Sequence, residues 1–237
     1  MNYQNNFSNF NQEYTDQAAL NHTVSQVMKK VYFKMFLALL VTALTSLFVA
    51  TTPSLASLAK GNGYWIFAII EIGLVIWISA GLNKMSASTA TLLFFLFAIV
   101  NGFTLSIIFY AYAASAIAKA FFITAGTFGA MSVYGYTTNS DLTKFGSFCM
   151  YAVFGLLIAM LVNFFMHSET LDWVISIVGV FLFLGLTAWD TQTTKRMAAM
   201  APAEMQGKLA TISALNLYLD FINLFLFILR IFGGSRD

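Results

Sequence analysis

Charge is what this chain has least of: 12 Lys and Arg and 10 Asp and Glu among 237 residues, or 9%. Soluble domains carry about 25%, so the deficit excludes an ordinary water-facing surface. The net charge of +2 is scattered, with no basic cluster of the kind nucleic acid needs. Cys149 is the one cysteine, which excludes an intramolecular disulfide and a cysteine metal cluster. The histidines, His22 and His167, show no zinc-ligand spacing. Proline is as scarce: Pro53 and Pro202 both fall between apolar runs, as expected if those runs are helices.

What is present is apolar. Hydrophobic residues make up 59% of the chain, and the mean hydropathy is +0.77. Residues 1–30 are rich in Asn and Gln and contain no apolar run, so they lack the pattern of a cleavable signal peptide and read as a mobile tail. Seven apolar segments follow, each near the roughly 20 residues that cross a bilayer as helix: 31–51, 64–82, 88–112, 115–136, 145–166, 171–191 and 209–232. The runs are continuous rather than alternating, which speaks against a membrane barrel. The expected architecture is an all-α polytopic membrane protein over 31–233, with seven transmembrane helices, the seventh central in the bundle, and a short tail over 234–237.

The basic residues predict an orientation. An N-terminus on the cytoplasmic side places Lys29, Lys30, Lys34, Lys84, Lys144, Lys195, Arg196 and Lys208 inside, and leaves Lys60, Lys119, Arg230 and Arg236 outside. A seventh segment that did not cross fully would return the last two to the inside. A long linker, about 192–208, is expected between segments six and seven.

Segment seven carries a polar stripe. Ser213, Asn216, Asp220, Asn223 and Arg230 fall within roughly a 100° sector of a helix. An ionised carboxylate at mid-bilayer costs about 2.5–3.5 kcal/mol even on the insertion scale, so that side must face protein or water. Asp190 in segment six stands five residues before Lys195, roughly 7–8 Å inside the inner boundary. Asp220 stands roughly 12 Å inside from the same face if its helix enters the membrane near Ile212. Antiparallel neighbours let the two meet. Two carboxylates within hydrogen-bonding reach cannot both ionise cheaply, so such a pair shares a proton. The pair reads as a pH-responsive latch or a cation station; the alternative is that each acid simply bonds Asn, Ser or backbone in the bundle. Two carboxylates fall short of the six to eight oxygens of a tight Ca²⁺ site, so transient rather than permanent metal is expected at Asp190 and Asp220. Glu71 in segment two and Arg230 lie toward the outer end, and an ion pair between them would serve as a structural clasp or an outer gate. No cofactor motif and no catalytic constellation is found.

Four stretches carry a resemblance: GLTAWDTQ (185–192), ALNLYLDFINLFLFILRIFG (214–233), NGFTLSIIF (101–109) and YGYTTNSDLTKFG (134–146). They resemble signature segments of the Bax inhibitor family, as a bacterial member of it. The resemblance implies a seven-helix fold around the last helix. It further implies a pH-sensitive Ca²⁺ leak channel of the bacterial inner membrane, with Asp190 and Asp220 as its sensor and Glu71 and Arg230 as its outer pair. Membrane lipid and permeant cations are the expected partners, with Asn216, Asn223 and Lys84 as supporting polar residues. One position departs. Where the family places an arginine late in segment two, this chain reads Leu82-Asn83-Lys84, and Lys lacks the bidentate fork of Arg. The alternative is a non-transporting regulator that binds another membrane protein such as a protease. An intramembrane aspartyl protease is disfavoured, because Leu217-Tyr218-Leu219 precedes Asp220 where those enzymes carry Gly-x-Gly.

Overall fold

The computed structural model describes residues 3–61, 63–81 and 85–233, with side chains from Gln17 onward. Among them lie nine helices and no strand. Helix α1 (Tyr3–Thr51) has 49 residues, about 73 Å at 1.5 Å per residue, far longer than a bilayer is thick. Helix α2 (Pro53–Lys60) is a single short helix with Pro53 in its first turn, where a missing N–H costs nothing. Helix α3 (Gly63–Gly81) follows. Helix α4 (Ala87–Leu105) starts at Ser86, whose side chain accepts from the Thr89 N–H. The short α5 (Ile108–Ala111) continues the same crossing.

Helices α6 (Ala114–Thr137) and α7 (Thr143–Met166) form the next two spans, and α7 closes on His167 in the left-handed region at φ 52°. Helix α8 (Glu169–Met200) is capped by Ser168, with Glu169 and Asp172 in its first turn, where carboxylates complement the helix dipole. Helix α9 (Ala203–Phe232) carries Arg230 in its last turn, the complementary arrangement. Seven helical segments are long and apolar enough to cross a membrane. Their exposed faces carry Phe, Leu, Ile and Trp, as a lipid-facing surface does.

Helix α9 packs against α1, α4, α6 and α8. In its most apolar window 72% of residues are buried, against 56% or less in any other span. The reason is legible in its own sequence: Leu215, Leu217, Leu224 and Leu229 are all but inaccessible and fill the space between neighbours. Helix α3 packs on α4, and α7 packs on α8, so the side of α9 that looks between α3 and α7 stays open.

Two expectations are corrected. The mobile tail over 1–30 is not what forms: α1 is helical from Tyr3, and Val24, Val27 and Met28 are buried in the core. A 3.6-residue spacing of those apolar side chains is hidden among the polar residues around them. The long linker over 192–208 reduces to Ala201 and Pro202, because α8 runs on to Met200 and α9 begins at Ala203. The first loop contains α2. Lys84 and the 234–237 tail lie outside the described residues.

Candidate functional site: two acids between the last helices

The polar stripe of α9 divides lengthwise into a buried edge and an open one. Ser213 and Asp220 turn inward, 1% and 5% exposed; Asn216 is exposed, and Asn223 and Arg230 are half-buried on the open side. At 100° per residue Ser213 and Asp220 share one edge of the sector, and Asn216, Asn223 and Arg230 the other. The five residues therefore serve two environments, not one.

Asp220 Oδ2 is buried and has no hydrogen-bond partner; the Oγ of Ser213 is in the same condition. Buried polar atoms are nearly always satisfied, so this pair of orphans marks the interior of the bundle as unusual. Asp190, half-buried on α8, acts electrostatically on Asp220. The two predicted acids thus lie on packed neighbouring helices and within electrostatic reach, but no hydrogen bond joins them, so the hydrogen-bonded pair expected from the sequence does not form.

The stretch of α8 around Asp190 is held by close backbone approach. A Cβ on Gly135 of α6 would overlap the Ala188 carbonyl, and one on Gly146 of α7 would overlap the Trp189 ring. Only glycine admits such proximity. One turn further, Gln192 Oε1 accepts from the Leu142 N–H at 2.9 Å, and its Nε2 donates to the Ser140 carbonyl at 2.8 Å. Arg196 reaches Asp141 at 2.8 Å. Two of the four signature stretches, 134–146 and 185–192, are therefore one structural joint that fixes the register of α8.

At the same end Lys34 of α1 donates to Thr91 at 2.9 Å and to Thr211 at 2.6 Å. Lys195 donates to the Tyr136 carbonyl at 2.8 Å. This is the basic end of the bundle.

Toward the other end the predicted Glu71–Arg230 pair does not form. Arg230 meets Asp172 of α8 at 3.4 Å, and Glu71 accepts from the Thr104 hydroxyl and interacts with Asn101. Both lie on one lateral groove of about 640 Å³ between α3 and α7. Sharing a groove does not fix azimuth: α3 turns Glu71 toward Thr104 of α4, and the first turn of α8 offers Arg230 the carboxylate of Asp172.

Sequence reasoning missed Tyr218 and Thr42, which tie Glu71 to the core through Asn101. Tyr218, fully buried, donates to Asn101 Oδ1 at 2.9 Å and lies 2.6 Å from the Thr42 hydroxyl. Its ring stands edge-on to Phe94 and Phe97. The signal available was a tyrosine in the middle of an apolar helix, whose hydroxyl must find a partner. Among the described residues no three His, Cys, Asp or Glu side chains gather.

Taken together, these features define an all-α, multi-pass membrane protein whose last two helices each carry a carboxylate, Asp220 buried and Asp190 half-buried. The family model described as inhibitor of apoptosis-promoting Bax1 matches residues 24–237. The chain belongs to the Bax inhibitor family. It is 44% identical to the inner membrane protein YbhL of Escherichia coli over 214 residues, covering 88% of this chain and 92% of that protein. It is also 43% identical over 217 residues to a protein of Borreliella burgdorferi (90% and 94% covered) and 41% identical over 212 residues to RP147 of Rickettsia prowazekii (89% and 90%).

Proposed function

We propose that this protein is a pH-responsive cation leak of the bacterial inner membrane, permeable to Ca²⁺, in which Asp190 and Asp220 form the titrating element. The observation that carries this reading is the unpartnered Asp220 Oδ2 inside the most buried helix. Removing a carboxylate from water without giving it a partner is costly, and the cost is recovered only if the group takes up something, a proton or a cation. Asp190 beside it means that binding at one acid alters the other. With two carboxylates against the six to eight oxygens of a tight site, Ca²⁺ would pause rather than stay. The basic residues support an N-terminus in the cytoplasm, and the name of the E. coli relative supports the inner membrane. The groove with Glu71, Asn101, Asn223 and Arg230 would form the opposite approach to the pair. We assign no catalytic role.

The test is ⁴⁵Ca²⁺ uptake by proteoliposomes across pH. Wild type should show a pH-dependent flux that Asp190→Asn and Asp220→Asn each flatten. A flux whose pH dependence survives both substitutions removes the pair from the mechanism, and no flux at all removes the channel.

A second reading, a regulator that binds another membrane protein, draws on the length of α1, whose first half is too polar for the bilayer. Deleting residues 2–16, which stops short of the buried Val24, separates the two: flux survives the deletion, whereas binding of a partner through that segment does not.

A further inference from the structure

Helices α1 and α6 both rest on α8, yet they do not pack closely on each other. Between them, at the basic end, lies a crevice of about 730 Å³, within the roughly 300–1,000 Å³ range of small-molecule sites. Its walls are chemically graded. Along α1 the wall runs from Ser25 and Lys29 through Tyr32 to Phe33 and Phe36, and Ser132, Val133 and Tyr136 form the α6 wall.

One wall residue is out of place for a lipid-facing surface. Ser132 is 6% exposed, and its Oγ has no partner. On the same helix Thr124, Thr127 and Thr137 each donate to the carbonyl four residues back, the usual way a hydroxyl is satisfied inside a membrane helix. Ser132 does not take that option, although it lines the crevice.

The charges point the same way. Lys29 has no carboxylate partner among the described residues. Lys195 sits over the Tyr136 ring at 4.8 Å and donates to its carbonyl, adding a second positive charge beside the crevice without neutralising the first. An occupant must therefore be anionic at the interface and apolar within, and it must enter sideways from the bilayer. Basic pockets between membrane helices select such headgroups.

We propose that the crevice between α1 and α6 binds one anionic phospholipid, its phosphate on Lys29, its ester region at Ser132 and an acyl chain along Phe33, Phe36 and Val133. Lys29 supplies the charge. The Ser132 hydroxyl is shielded in the empty crevice; rotation about its one side-chain torsion would let it donate to an ester oxygen of the seated lipid. The lipid thereby braces α1 against α6 from the membrane side, where the two helices do not pack closely on each other. This proposal does not depend on ion flux through the bundle.

The experiment is native mass spectrometry of the full chain in detergent, with phosphatidylglycerol and phosphatidylcholine of identical acyl chains as probes. Wild type should retain one phosphatidylglycerol in preference to phosphatidylcholine. Lys29→Gln should weaken phosphatidylglycerol retention about fivefold, the effect of one lysine at a membrane surface, and leave phosphatidylcholine unchanged. Ser132→Ala should weaken both lipids without lowering the melting temperature. Lys144→Gln, an exposed lysine at the start of α7 outside the crevice, should match wild type. Equal retention of the two lipids by wild type, or an equal loss in Lys144→Gln and Lys29→Gln, would overturn the proposal. Competition by millimolar inorganic phosphate would overturn it in favour of a soluble anion.

Discussion

Arg230 and Asp172 meet at 3.4 Å at the non-basic end of the bundle, joining the last turn of α9 to the first turn of α8, while Glu71 stands in the same groove without touching either. The side chains of the pair are 31% and 42% exposed, and exposed pairs contribute about 0–1 kcal/mol. Arg230→Gln should therefore shift the melting temperature little. A double-mutant cycle of Arg230→Gln with Asp172→Asn should show coupling; one with Glu71→Gln should be additive within about 0.5 kcal/mol. Strong coupling to Glu71 would restore the ion pair that the sequence alone predicted.

Tyr218 is the mechanical centre of the other half. Tyr218→Phe keeps the ring between Phe94 and Phe97 but leaves Asn101 Oδ1 and the Thr42 hydroxyl each without that partner. Orphaning buried polar groups costs about 1–3 kcal/mol. Thermal unfolding in detergent should show that loss, and Thr42→Val on top of it should cost less than Thr42→Val alone.

Gly135 admits no side chain, because its Cβ would overlap the Ala188 carbonyl of the facing backbone. Gly135→Ala should cost about 1–3 kcal/mol, as overpacking does. Gly126, on the same helix, meets nothing within 4 Å, and Gly126→Ala should be neutral or slightly stabilising. Comparing the two melting curves distinguishes backbone proximity from helix propensity.

Asp141, in the turn between α6 and α7, accepts from the hydroxyl and N–H of Thr143 and from Arg196. Thr143 first, then Arg196, hold its carboxyl below the usual carboxylate range. A depressed folded value means the contribution is complete above the unfolded value, roughly pH 4, and is lost as pH falls through the folded one. Melting temperature should thus drop below about pH 4 in wild type, and part of that drop should be missing in Asp141→Asn, whose stability is lower at neutral pH. Identical acid limbs would dismiss Asp141 as a contributor.

Asp220→Asn separates stability from function. The substitution keeps the shape and removes a charge that has no partner on Oδ2, so the melting temperature should rise or hold. A fall of several degrees would mean the carboxylate is held by bonds that an amide cannot make.

Much of the candidate site was legible because membrane burial is unforgiving. A carboxylate inside an apolar run is conspicuous, and Asp190, Asp220 and Glu71 needed no structure to be found. The ends of the helices were less legible. Lys195 and Arg196 read as linker, yet they lie on α8, because a helix that leaves the bilayer continues in water with polar residues and no change of backbone. The same holds for α1, whose buried Val24, Val27 and Met28 are diluted by Asn, Gln and Thr.

The sequence by itself determined the class of protein, the number of membrane-spanning helices and the acids worth watching, since hydropathy and length act residue by residue and need no partner. Only the tertiary structure decided who meets whom: that Arg230 takes Asp172, that Glu71 reports to Tyr218 through Asn101, and that the stripe of α9 splits between core and groove. The reason is geometric. Depth along a helix is additive at 1.5 Å per residue and can be counted in one dimension, whereas azimuth depends on how helices rotate to bury their neighbours.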